Sequence, residues 1–319
     1  MIASVLLLSM AFAQGSPPTA ATQEEAVKLE TVSGVIHGTL LLPAKAQGKV
    51  AVALIIAGSG PTDRNGNSPL LPGANNSLKL LAESLATQGI ASVRYDKRGV
   101  AGSLGAAAGK SEADLRFSHF SDDAAGWIAQ LRKDARFSTI TIVGHSEGSL
   151  VGMMAAQKER PNAFVSLAGA GRPAADVLTE QLERGLPPDA KPEALRVLNE
   201  LRAGRKVEQP PPALAALFRP SVQPYLMSWL PLDPAAELAR LKLPALIVQG
   251  STDIQIALKD AERLAQAEPS AQLAVIDGMN HVLKEVRDAS QQVPSYSNPE
   301  LPLHRELGGI VSKFIVTAR

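Results

Sequence analysis

Residues 139–151, TITIVGHSEGSLV, constrain the fold more than any other stretch of this chain. An apolar, β-branched run without polar alternation reads as a strand covered on both faces. It stops at Val143 and enters Gly144-His145-Ser146-Glu147-Gly148, after which the pattern becomes helical. A strand that reverses into a helix within so few residues puts its central residue at the tip of a strained turn, side chain outward. The two flanking glycines fit, because a Cβ at either would collide where the strand and helix backbones meet. Ser146 is the candidate nucleophile, and everything else can be tested as support for it.

The remaining pattern predicts an α/β fold with a mostly parallel central sheet and helices on both faces. Ala26 to Pro43 alternates as a hairpin turning at Ser33-Gly34, with His37 facing solvent, and Val50 to Ile56 reads as a central strand. That strand opens into the polar loop Gly58-Ser59-Gly60-Pro61-Thr62-Asp63-Arg64-Asn65-Gly66-Asn67, at the end where open α/β sheets bind ligands. Asn75 to Gln88 has helical spacing, Ile90 to Tyr95 is a strand delivering Asp96-Lys97-Arg98-Gly99, and Ala163 to Ala168 is another strand. The charges at 96–98 could serve catalysis, but a charged group at a strand end is expected to tie neighbouring loops together. Residues 172–240 break the rhythm with helical stretches, Pro187-Pro188, Pro210-Pro211-Pro212 and a cluster of Phe218, Tyr225, Met227 and Trp229, which reads as an inserted helical cap. Leu243 to Gln249 and Gln272 to Ile276 restore the sheet, and Leu303 to Thr317 is the closing helix.

Charge and composition exclude several classes. The 32 Lys and Arg against 31 Asp and Glu leave no basic surplus for a phosphate backbone, so nucleic acid is not an expected partner. The absence of cysteine removes disulfides, thiolate metal sites and a thiol nucleophile together. No H-E-x-x-H spacing supports a zinc hydrolase, and neither a metal nor a cofactor is expected. Gly105 to Ser111, GAAAGKS, approaches a phosphate-binding loop but has Leu104 where its first glycine belongs. Residues 2–13 are apolar, too short to span a bilayer, and end in Ala11-Phe12-Ala13, as a cleavable signal peptide does, although no Lys or Arg precedes the run. The expected organisation is a signal peptide at 1–13, a linker at 14–25 and one domain at 26–319. Export to the periplasm or beyond follows, with no membrane span after processing.

A serine hydroxyl needs a base, and the base needs a carboxylate to fix its tautomer and stabilise its cation. Five histidines are present. His145 is adjacent to Ser146 and points elsewhere, His37 and His119 precede the turn, and His304 reads as the exposed start of the last helix. His281, in the loop after the Gln272 to Ile276 strand, is the candidate base. Asp253, in the loop after the preceding strand, is the candidate carboxylate, with Asp277 as its rival. The order Ser146, Asp253, His281 is the order of an elbow-type hydrolase. Two backbone N–H groups should hold the negative oxygen of a tetrahedral intermediate: those of Ser59 and Glu147.

The stretches IAGSGPTDRNGN (56–67), YDKRGVAGS (95–103), VGHSEGS (143–149), GSTDIQI (250–256) and GMNH (278–281) together resemble the bacterial α/β-hydrolase esterases, near the serine aminopeptidase-like branch. The resemblance runs over most of residues 28–317. It implies the α/β-hydrolase fold and the roles above for Ser146, Asp253 and His281. Ala57 departs from it, standing where many relatives carry His. The expected activity is hydrolysis of a small carboxylic ester through an acyl-enzyme on Ser146. A peptidase using Glu147, Glu180 or Glu183 to hold a substrate amino terminus is the alternative, and a non-catalytic binding protein on the same fold is a further one.

Overall fold

The computed structural model describes residues 22–318 apart from 45, 47 and 110. The expected signal peptide at 1–13, residues 14–21 of the expected linker and Lys110 lie outside the described residues. Strands β1 (Gln23–Thr31) and β2 (Gly34–Leu42) form the N-terminal hairpin, followed by β3 (Val50–Ile56), helix α1 (Ser77–Thr87) and β4 (Ala91–Tyr95). Then come α2 (Phe117–Lys133), β5 (Phe137–His145), α3 (Glu147–Glu159) and β6 (Ala163–Leu167). Between β6 and β7 (Ala245–Gly250) the chain inserts α4 (Ala174–Gly185), α5 (Lys191–Arg202), α6 (Ala215–Phe218), α7 (Gln223–Trp229) and α8 (Pro234–Ala239). The end of the chain adds α9 (Leu258–Ala267), β8 (Gln272–Ile276), α10 (Gln292–Ser295) and α11 (Leu307–Thr317). This is the α/β-hydrolase fold.

The eight strands lie in the order β1-β2-β4-β3-β5-β6-β7-β8, antiparallel in the first two pairings and parallel in the rest. The strand order reverses between β3 and β5, the place where such sheets open a ligand crevice. Register decides what meets there. Ile56 lies opposite Gly144, and His145 opposite Leu167, so the loops after β3 and β5 leave the sheet at one level. Gly250 lies opposite Ile276, which launches the loops carrying Asp253 and His281 from the same edge.

Each face of the sheet is covered by helices whose apolar residues recur at helical spacing. Leu78, Leu81, Ala82 and Leu85 of α1 and Leu307, Val311, Phe314 and Ile315 of α11 pack on one face with Ile55, Val143 and Val165. Residues of α2, α3 and α9 cover the other, around Leu54, Ile142 and Phe164. The inserted helices have a hydrophobic cluster of their own, including Leu182, Leu198, Leu201, Phe218 and Leu226. Among the described residues no helix is long and apolar enough to cross a membrane.

Several local expectations need correction. The first strand starts at Gln23, inside the stretch expected to be linker, because Glu24 and Glu25 pair with Leu41 and Leu40. Residues 101–107 form a 3-10 turn against β2, which leaves no strand-to-helix loop for a phosphate at Gly105. The closing helix begins at Leu307, not Leu303, and His304 is buried instead of exposed. Its N–H donates to the carbonyl of Leu283 at 2.8 Å, which pins the segment against the His281 loop before the helix can start.

Candidate active site

Ser146 sits between β5 and α3 with φ 55° and ψ −122°, a conformation that is strained for any residue with a Cβ. Two close backbone approaches hold it there. A Cβ at Gly144 would fall 2.3 Å from the carbonyl oxygen of Gly148, and one at Gly148 would fall 2.4 Å from that of Ile56. Gly58 also packs close from the β3 side, though less tightly: a Cβ there would lie 3.1 Å from the Cβ of Ser146. The serine is thus clamped between the turn and the Gly58 loop while its hydroxyl stays partly exposed.

Three of the expected residues form one hydrogen-bonded chain. The Ser146 hydroxyl lies 3.2 Å from Nε2 of His281, and Nδ1 of His281 lies 2.8 Å from Oδ2 of Asp253. A carboxylate only accepts, so Nδ1–H donates to Asp253 and Nε2 is left to accept from the serine. Oδ1 of Asp253 also accepts the N–H groups of Gln255 (2.7 Å) and Ile256 (2.9 Å), and Oδ2 accepts from Gln249 at 3.1 Å. Burial alone would raise this carboxyl, but the charge and hydrogen bond of His281, with the two backbone N–H groups, outweigh it and hold it below the usual range. Asp277, the rival acid, is exposed and bonded to Arg287 (2.6 Å) and Ser251 (3.1 Å).

Ser59 and Glu147 both border the cavity that contains Ser146. The Glu147 N–H opens α3 and has no carbonyl partner within its own helix. The cavity holds about 80 Å³. It is lined from the sheet side by Leu150, Gln255 and Ile256, and from the inserted segment by Arg172, Val177, Leu178, Gln181 and Trp229. Arg172 is fixed by Asp260 (2.8 and 3.0 Å) and Glu180 (2.7 Å), and its hydrogen bonds to Asp260 secure its charge. Among the described residues no group of three or more His, Asp or Glu is placed to hold a metal ion.

Two sets of contacts around the site join loops whose partners the sequence did not name. The DKRG segment ties the neighbouring loops: Asp96 accepts from the backbone and guanidinium of Arg64 (2.8 and 2.7 Å), Arg98 donates to Asp123, and Lys97 donates to the carbonyl of Gly58. His145, adjacent to Ser146, turns back into the protein, and its Nε2–H donates at 2.8 Å to the backbone carbonyl of His281. It holds the loop that carries His281. Burial, aided by the neighbouring His281 ring, pushes the His145 imidazole down to about 4.

That shift makes an acid sensitivity. The unfolded imidazole titrates near 6.5 and the folded one near 4, so on acidification the unfolded chain binds the proton first. The contribution is complete above about pH 7 and is lost as the pH falls from 6.5 towards 4. Between pH 8 and pH 5 His145 is expected to remove about 2 kcal/mol of stability. Urea unfolding at the two pH values, in the wild type and in His145→Gln, measures it. An equal pH-dependent loss in both proteins would assign the effect to other groups.

Comparison with known proteins agrees with this architecture. The serine aminopeptidase (S33) family model matches residues 74–221, a span that contains Ser146 but neither Asp253 nor His281. Over 260 residues, 79% of this chain, the sequence is 26% identical to esterase EstD of Thermotoga maritima, and the match spans 59% of that protein's length. Est1E from Butyrivibrio proteoclasticus superposes with a TM-score of 0.59 at 17% identity, over 92% of this chain and 98% of that one. A thermophilic esterase from Thermogutta terrifontis, with malate bound, gives 0.54 at 17% identity, over 92% and 99%. These structural likenesses show the α/β-hydrolase fold.

Proposed function

We propose that the protein is a serine hydrolase of small carboxylic esters, and the observation that carries the proposal is the relay from Ser146 through His281 to Asp253. In this reading His281 takes the Ser146 proton as Oγ adds to the ester carbonyl carbon, and the carbonyl π pair moves onto oxygen. The N–H groups of Ser59 and Glu147 hold that oxyanion. Collapse breaks the bond to the alcohol oxygen, which takes the proton from His281 and leaves an acyl group on Ser146. Water then repeats the sequence: His281 accepts its proton, the hydroxyl adds to the acyl carbon, and Ser146 departs with the proton returned to it. Asp253 keeps its charge throughout and stabilises the imidazolium.

The electrostatics of the cavity favour an ester over a peptide amino terminus. A pocket for an ammonium group needs an uncommitted acid. Glu147, which borders the cavity, accepts from Tyr225 at 2.7 Å and faces Lys97, while Glu180 is bonded to Arg172 and Lys259. Glu183 is exposed, and the charged side chain Arg172 brings a cation to the cavity wall. Esterase EstD, a relative by sequence, is consistent with the same choice.

A panel of p-nitrophenyl acetate and butyrate beside amino-acid p-nitroanilides tests the assignment. The esters are expected to turn over with kcat/KM of at least about 10⁴ M⁻¹ s⁻¹ and the anilides not measurably. Release of amino-terminal residues with negligible ester turnover would replace this reading with the peptidase.

A further inference from the structure

We propose that Lys97 is a positioning residue for the oxyanion site, holding and polarising the Gly58–Ser59 peptide through the carbonyl of Gly58; the inference rests on the hydrolase reading above. The peptide group concerned has two ends. Its C=O belongs to Gly58 and its N–H to Ser59, and with no cis peptide bond in the described chain the two point in opposite directions. The buried ammonium of Lys97 donates to the Gly58 oxygen from inside the protein. The Ser59 N–H is therefore turned the other way, towards the cavity that Ser59 and Ser146 share. A cation on the carbonyl also draws electron density through the amide and strengthens its N–H as a donor. Gly58 has little freedom to rotate out of this arrangement, since it packs against Ser146 on its other side.

Lys97 is itself held by the other half of the site. Its Nζ lies 3.5 Å from Oε1 of Glu147 without hydrogen-bond geometry, and 5.6 Å from the centre of the Phe120 ring. Among the described residues the hydrogen bond of Nζ goes to Gly58 alone. Oε2 of Glu147 is occupied by the Tyr225 hydroxyl from α7. A buried ion pair is weak evidence of a stabilising role, because desolvation consumes most of its attraction. Its connectivity is the informative part: Glu147 supplies the second oxyanion N–H from its backbone while its side chain neutralises Lys97. One buried pair thus joins the two backbone donors, which come from loops far apart in sequence. Burial pushes the Lys97 ammonium down and Glu147 pulls it back, so the charge on the Gly58 carbonyl depends on the residue that carries the other donor.

The test compares the wild type with Lys97→Met and with the double variant Lys97→Met/Glu147→Gln. The double variant leaves no unpaired buried charge, so it stays informative if Lys97→Met does not fold. Two readouts separate positioning from general damage. The first is kcat and KM for p-nitrophenyl acetate. The second is affinity for an aryl trifluoromethyl ketone, whose carbonyl accepts Ser146 Oγ and becomes an oxyanion as His281 takes the proton, against the methyl ketone of the same skeleton, which binds without adding. Loss of one oxyanion donor costs about 10²–10³ in kcat, and a fall of about 10² is expected, with KM within about threefold. The trifluoromethyl ketone should weaken in parallel and the methyl ketone by no more than about threefold. A folded double variant with unchanged kcat, or one in which both ketones weaken equally, would overturn the role of Lys97. A wild type that neither turns over the ester nor adds the trifluoromethyl ketone would overturn the hydrolase reading, and this inference with it.

Discussion

Ser146→Ala and His281→Ala are each expected to lower ester hydrolysis by about 10⁴–10⁶ in kcat, and the pair together by no more than either alone. The non-additivity follows from the geometry: the imidazole acts only on the proton of the one hydroxyl within 3.2 Å of it, so with either group gone the other has nothing to do. A fluorophosphonate reads the same relay without a chosen substrate. Ser146 Oγ bonds to phosphorus, fluoride leaves, His281 takes the proton, and one adduct on Ser146 should appear by intact mass and peptide mapping. Asp253→Asn should slow labelling by about 10⁴, because an amide at that position no longer dictates that Nδ1 carries the proton. Asp277→Asn should label at the wild-type rate, since its carboxylate is spent on Arg287 and Ser251 at the surface. An adduct elsewhere, or undiminished turnover in Ser146→Ala, would remove the serine mechanism. A wild type that is folded and never labelled would instead favour a binding protein that keeps the fold without turnover.

What could be read from the sequence, and what could not, divides along the range of the interactions involved. Buried parallel strands are continuous apolar runs, so β3 and β6 are visible within a residue of their ends, the exposed edge strand β8 still shows as a short apolar run, and the G-x-S-x-G turn fixes where the sheet reverses. His281 and Asp253 were accessible by elimination among five histidines and by loop position, because level strand ends bring such loops together. Lys97 was different. Its partners, Gly58 and Glu147, come from other loops, and a basic residue at a strand end carries no mark of being buried. The expectation that DKRG ties loops together described Asp96 and Arg98 but gave no hint of the Gly58 contact. His145 does point away from Ser146 as expected, but its partner was not visible, and His304 was misjudged as exposed, for a related reason: the His145 ring bonds the carbonyl of His281, and His304 is held by the carbonyls of Leu283 at its backbone N–H and of Asp277 at its ring. Local pattern reports which face of an element is apolar, and these contacts lie between loops that have no period to read.

Gly148→Ala is expected to destabilise the protein by at least about 3 kcal/mol and to reduce activity further than that loss of stability accounts for. The added Cβ would meet no flexible side chain. It would sit 2.4 Å from the carbonyl oxygen of Ile56 and 2.7 Å from that of Ala57, the backbone from which the Gly58–Ser59 loop departs. Relief requires α3 and the end of β3 to separate, and those two elements carry the Glu147 and Ser59 N–H groups. The displacement therefore falls along the line between the two proposed oxyanion donors, where a shift of about 1 Å can cost about 10² in rate. Thermal unfolding should drop by several degrees, at roughly 2–4 °C per kcal/mol for a chain of this order of size. Gly309→Ala is the control: Gly309 lies in α11 with nothing within 4 Å of its hypothetical Cβ, so alanine there should be neutral or stabilising by up to about 1 kcal/mol. Calorimetry with kcat for p-nitrophenyl acetate on both variants decides the matter. A Gly148→Ala protein that melts and turns over like the wild type would mean that strand and helix do not approach so closely around Ser146, and the strained turn would lose its role in presenting the nucleophile.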